Sequence, residues 1–223
     1  MRKLLVLIFL IVCEMNVAQE NFQLKRGDIL FQDSDCGAPC KAIEKVTTGY
    51  KGANLSHVGI AEQNNDENWI VIEAISDGVV KTPLGEFLNR SLDAEGKPKV
   101  LVGRVVEKYQ SLLPEALKEA QKLLGKPYDE VYKLGNGSYY CSELIYEIFK
   151  RANNGEPIFK LYPMTFKDPE TRKTFPAWVD YFNELNEQIP EGEPGLNPGG
   201  ISRSPAIRIV HCYGSPSNFK SEK

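Results

Sequence analysis

Three side chains in this sequence have the types that one reaction needs together: a thiol at Cys141, an imidazole at His57 and a carboxylate at Glu73. A thiol supplies a nucleophile, an imidazole a base that later protonates the leaving group, and a carboxylate can orient the imidazole. Each has a plainer reading when taken alone. A histidine and a glutamate on one hairpin are more often a half-buried ring and its polar neighbour. A helix cysteine more often behaves as a small buried hydrophobe. The three together outweigh these separate readings, and chain order does not count against them, because such triads recur in several orders.

The elements that must position these groups can be read from pattern. Residues 55–61 and 69–75 are rich in β-branched types, and the polar run 62–68 between them fits a hairpin loop. A hairpin centred on Asn65 puts His57 directly opposite Glu73, with Cβ atoms about 4.5–5.5 Å apart. Gly59, Ala61, Val71 and Ile75 share that face, while Val58, Ile60, Ile70 and Ile72 form an aliphatic face behind it. Cys141 opens a helix over 141–151 and shares the inward side of Leu144, Ile145, Ile148 and Phe149. Gly135-Asn136-Gly137-Ser138 precede it, with Ser138 as the expected cap. A thiol in a first helical turn meets unpaired N–H groups and the positive end of the helix dipole, and both favour thiolate. The same N–H groups, that of Cys141 included, are suited to holding an oxyanion.

Around this centre the sequence predicts a short strand at 29–31 after the turn Lys25-Arg26-Gly27-Asp28. It predicts further strands at 100–106 and 207–210, and helices over 36–50, 114–124 and 177–185. The proline- and glycine-rich stretch 188–205 reads as irregular. No repeat or linker divides the chain, so one α+β domain over 19–223 is the economical organisation.

Composition removes several classes of function. The formal charge is −3, from 27 basic and 30 acidic residues, with no basic run to track a phosphate backbone, so no nucleic-acid partner is expected. Only two histidines, His57 and His211, occur, which excludes a multi-histidine metal site. No metal and no cofactor are expected. Residues 1–18 read as a signal peptide: Arg2 and Lys3 precede the apolar run 4–13, with cleavage near Ala18. That run is shorter than the roughly 20 residues a membrane helix needs, so the mature chain is expected to be exported without a transmembrane segment. Lipidation at Cys13 is the alternative. Export favours disulfides, and Cys36 and Cys40 are close enough in sequence to pair locally, although nothing in the pattern decides that they do.

Gly27-Asp28-Ile29, Ser56-His57-Val58-Gly59-Ile60, Val71-Ile72-Glu73-Ala74, Gly125-Lys126-Pro127-Tyr128-Asp129 and Tyr140-Cys141-Ser142-Glu143-Leu144 occur in this order. The set resembles the permuted papain-like amidases of the YiiX/YaeF type, a branch of the NlpC-related cysteine peptidase superfamily. In the permuted branch the histidine strand precedes the cysteine helix, as it does here. The resemblance implies a curved antiparallel sheet or small barrel with the nucleophile helix packed against it. It also implies a nucleophile at Cys141, a base at His57 and an orienting carboxylate at Glu73. Asp28, Tyr128 and Tyr162 are further candidates for substrate or oxyanion contacts; a turn cap competes for Asp28, and packing competes for Tyr128 and for Asp129. His211 and Cys212 alternate across a strand and are read as structural. The expected function is an exported thiol hydrolase of an amide in a peptide or N-acyl substrate, with peptidoglycan as the nearest pool. A lipid-directed thiol acyltransferase or phospholipase, with its groove built from Ile158 to Phe182, is the alternative. A non-catalytic binding module of the same fold is the second alternative.

Overall fold

The computed structural model describes residues 22–220; the signal segment expected at 1–18 lies outside them. In chain order the elements are β1 (Ile29–Gln32), α1 (Ala38–Val46), β2 (His57–Gln63), β3 (Trp69–Ile75), β4 (Gly78–Pro83), α2 (Leu84–Asn89), β5 (Val100–Val105), α3 (Glu107–Gln110), α4 (Leu113–Lys122), α5 (Cys141–Ala152), β6 (Tyr162–Pro163), α6 (Pro176–Glu184), β7 (Pro194–Gly195), α7 (Pro198–Ser202) and β8 (Ile207–Cys212). Six strands form one antiparallel sheet in the order β4-β3-β2-β1-β5-β8. The fold is α+β, and the sheet is open, with β4 and β8 at its edges, not the closed barrel that was the second expectation. β6 and β7 pair separately.

Alternation along the strands sends residues to two buried faces. Ile29, Phe31, Val58, Ile60, Ile70, Ile72 and Leu101 join the apolar side of α5 (Leu144, Ile145, Ile148, Phe149) and of α4 (Ala116, Leu117, Ala120) in the main core. Leu30, Ala61, Val71 and Val100 meet Phe87 of α2 in a smaller cluster. The basic Lys150 and Arg151 occupy the last turn of α5, where the dipole favours them. Gly155, at φ 91°, returns its N–H to the Lys150 carbonyl at 2.8 Å and ends the helix.

The hairpin register differs from expectation by two residues. Glu73 lies opposite Gly59, and Gln63 opposite Trp69. Asn64 sets this, because its side-chain oxygen accepts the N–H groups of Asp66 at 3.0 Å and Asn68 at 2.9 Å, closing a five-residue loop. Since the side-chain period is two, a two-residue shift keeps His57 and Glu73 on one face. His57 becomes a diagonal neighbour of Glu73, still within reach of a long side chain.

Gly59 leaves no room for a side chain. A Cβ there would collide with a Val71 methyl and stand 3.1 Å from the Ile72 oxygen and 3.2 Å from the Glu73 Cβ. Gly59→Ala is expected to lower stability by about 1–3 kcal/mol, as overpacking does, and chemical denaturation checks it. Stability equal to the wild type would show that the strand yields without disturbing Glu73.

Candidate active site

His57 opens β2, and its ring is 13 % exposed, while Glu73 in the middle of β3 has no exposure. The ring Nε2 stands 2.5 Å from Glu73 Oε2, which leaves Nδ1 for the Cys141 sulfur, a group close enough to act on the charge of the ring. Phe87 backs the imidazole, with ring centroids 5.9 Å apart. Burial by itself would push the His57 pKa down. The sulfur and the carboxylate outweigh it, and the ring is raised to about 9.

Glu73 has more partners than the sequence reading assigned it. Thr82 Oγ1 of β4 donates to Oε1 at 2.5 Å, and Arg90, just past α2, grips both oxygens, at 2.8 Å from Oε2 and 2.5 Å from Oε1. Burial would push this carboxyl up; His57, Arg90 and Thr82 hold it down at about 2. Sequence reasoning passed over β4 and α2. The available signal was Asp77-Gly78, a hairpin-turn pair, followed by Val79-Val80-Lys81-Thr82, rich in β-branched residues, which pairs with β3.

Cys141 is the first residue of α5 and is buried. The residue before it, Tyr140, takes the cap position with extended backbone and no side-chain cap bond. Ser138 is not the cap, because its N–H is turned to the Asn136 side chain at 2.9 Å. Instead, Glu143 steadies the approach: it is fully buried, and its Oε1 accepts the Gly135 N–H at 3.1 Å. Its Oε2 has no hydrogen-bond partner. Burial, with Asp129 and Glu147 nearby, raises this carboxyl to about 8.

His57, Cys141 and Arg90 open on a cleft of about 1220 Å³. One wall is α1 and the residues before it, including Cys36, Cys40 and Ile43. Cys36 and Cys40 are joined as a disulfide, and Gly37 between them adopts φ 79°, a turn that suits glycine. Much of the remaining lining is aromatic, with Tyr128, Tyr132, Phe166, Trp178 and Tyr181. Tyr181 donates to the Glu130 carbonyl at 3.0 Å, and burial pushes the Tyr128 and Tyr132 hydroxyls up. Tyr162 stands at the cleft, 55 % exposed.

Asp28 is not at the site. Its carboxylate takes the Lys25 N–H at 2.8 Å and two bonds from Arg104 at 2.7 Å, at the far end of β1 from His57, and it does not line the cleft. The turn-cap reading describes it. Asp129 likewise organises its own loop, accepting from Val131, Lys133 and Asn136. His211 is stacked on Phe22 with centroids 4.0 Å apart, and burial raises the Cys212 thiol to about 11.

With this arrangement in place, the chain's relatives can be compared with it. Residues 23–211 match the family described as permuted papain-like amidase enzymes of the YaeF/YiiX type, and the chain belongs to that family. It is 34 % identical over 199 residues to YiiX of Escherichia coli K12, covering 85 % of this chain and 87 % of that one. A crystal structure described as metalloprotein yiiX of Escherichia coli O157:H7 superposes with a TM-score of 0.68 at 23 % identity, over 86 % of this chain and 99 % of that one. That structure supports the fold. Among the described residues no three His, Cys, Asp or Glu side chains gather as metal ligands, and both Glu73 oxygens are already bonded within the protein.

Glu143 makes this region pH-sensitive in a definite direction. Its folded pKa lies above the ordinary 4.5, so its contribution to stability is complete below 4.5 and is lost as pH rises towards 8. Melting temperatures across that range should fall less steeply in Glu143→Gln than in the wild type. Identical slopes would mean that Glu143 titrates normally.

Proposed function

We propose that this protein is a cysteine amidase in which Cys141 is the nucleophile, His57 the base and acid, and Glu73 the group that orients the ring. One observation carries the reading: a single imidazole is held between a buried carboxylate and a buried thiol at the floor of a large cleft. In the ground state the Cys141 proton passes to His57 Nδ1, giving a thiolate and an imidazolium that Glu73 supports. The thiolate attacks the amide carbonyl, and N–H groups of the first turn of α5 face the developing oxyanion. Collapse breaks the C–N bond as His57 gives its proton to the departing nitrogen. Water, deprotonated by His57, then cleaves the thioester, releasing the acid and restoring the thiol.

The pool of amides remains a choice between two. Peptide substrates, cell-wall peptides included, follow from the family's description as amidases and from the export expected of residues 1–18. The aromatic lining of the cleft favours a second reading, in which the acyl part is a long apolar chain and the enzyme is lipid-directed; Ile158, Phe159, Met164 and Phe166 line the cleft alongside Trp178.

Turnover of peptide and N-acyl amides by Cys141→Ala is expected to fall by at least about 10³-fold. In the wild type the alkaline limb of the rate profile should lie near pH 9, where His57 loses the proton the leaving group needs. Release of amine from a panel of short peptides, cell-wall fragments and long-chain N-acyl amino acids measures both, and the preferred members choose between the pools. Wild-type protein with no turnover on the panel, and with a Cys141 whose alkylation is indifferent to His57→Ala, would leave a binding module.

A further inference from the structure

Arg90 closes a circuit of hydrogen bonds that the proposed triad alone leaves open. Glu73 has four lone-pair positions to fill in a setting without water. One is taken by His57, one by Thr82 and two by the planar fork of Arg90. Arg90 Nη2 also stands 3.3 Å from Thr82 Oγ1, so the carboxylate, the hydroxyl and the guanidinium brace one another. The guanidinium lies over the Phe87 ring, 5.6 Å from its centroid, and that ring in turn backs His57. The Arg90 side chain keeps 29 % exposure and lines the cleft.

We infer that Arg90 is a positioning residue of the thiol site: its bidentate grip keeps the buried Glu73 ionised and fixes which nitrogen of His57 carries a proton towards it. The inference rests on the cysteine-amidase reading and adds a residue that the sequence pattern does not single out. The charged and polar groups facing Glu73 are His57 from β2, Thr82 from β4 and Arg90 beyond α2. Glu86 of α2 touches only Arg90, at 3.9 Å, and Cys141 of α5 acts through His57. Without Arg90, burial of Glu73 is opposed only by His57 and Thr82, so the carboxyl takes up a proton at higher pH. A neutral Glu73 no longer supports an imidazolium, and the thiolate is lost with it.

The consequence is one-sided, which separates positioning from simple structural damage. The rate of Cys141 alkylation by iodoacetamide, followed against pH by peptide mass spectrometry, reads the site without any knowledge of substrate. In Arg90→Gln the acid limb of this profile should move up by roughly one to three pH units, while the alkaline limb stays in place or rises. Glu73→Gln, neutral at every pH, should raise the acid limb at least as far as Arg90→Gln does. Arg90→Lys keeps a charge but not the fork, so its acid limb should fall between those of wild type and Arg90→Gln, and this variant carries the test if Arg90→Gln does not fold. Nitrogen-15 spectra of the two histidine rings supply a second readout. The Nε2–H signal of His57, bonded to the Glu73 carboxylate, should shift at the pH where Glu73 becomes neutral, and that pH should be higher in Arg90→Gln than in the wild type. An acid limb and an Nε2–H titration unchanged in Arg90→Gln would overturn the role of Arg90 while leaving the amidase reading intact. A wild-type profile that His57→Ala does not alter would overturn both.

Discussion

The site depends on keeping one carboxylate charged where no water reaches it. Glu73 has no exposed surface, and an isolated ionised carboxylate in such a place would simply take up a proton. Two elements exist in register to prevent that. β4 brings Thr82 to the adjacent strand, and α2 ends where Arg90 can reach back over Phe87. The side chains around Glu73 therefore answer to the demands of a buried ion, and the imidazole is aligned as a by-product of satisfying it.

Such an arrangement is costly to disturb in parts. Removing one member of a buried ionic set leaves its partners desolvated and unpaired, a larger penalty than the intact set ever returned as stability. Gly59 adds a steric condition to the electrostatic one, because the carboxylate's own backbone neighbour across the sheet must lack a side chain. The cleft is under weaker control. Its walls come from α1, from the loop after α4, and from the segments on either side of α6; an aromatic cluster and the Lys45–Asp168 ion pair at 2.6 Å join α1 to the α6 region, and the disulfide closes the start of α1 on itself. Chemistry and access are thus built from different parts of the chain.

How much of this the sequence disclosed follows from the range of each interaction. β3 and α5 were visible because alternation and helical spacing are local signals, and the nucleophile helix begins at Cys141 as expected. The facing of His57 and Glu73 survived an error of two residues in register because parity, not register, decides the face. The exact pairing was hidden in the Asn64 side chain, whose loop-closing bonds no periodicity reports. Arg90 and Thr82 were missed for a different reason: an arginine beyond a six-residue helix carries no pattern, and only the folded sheet shows which charge it meets. Asp28 was ambiguous because a carboxylate after a glycine turn looks the same whether it serves a site or an ion pair with Arg104, 76 residues away.

The order of the elements along the chain has its own consequence. Everything that holds the imidazole, from His57 through Glu73 and Thr82 to Arg90, lies within one contiguous run of strand pairs and a short helix, so its contacts close short loops and their entropic cost is small. The nucleophile lies some fifty residues further on, and α5 packs on β2 and β3. Because Leu144, Ile145, Ile148 and Phe149 of α5 share one core with Val58 and Ile60 of β2, and a domain folds as a unit, base and nucleophile meet only when the whole domain has folded. A nascent or partly folded chain carries an ordinary cysteine; reactivity arrives with the native state.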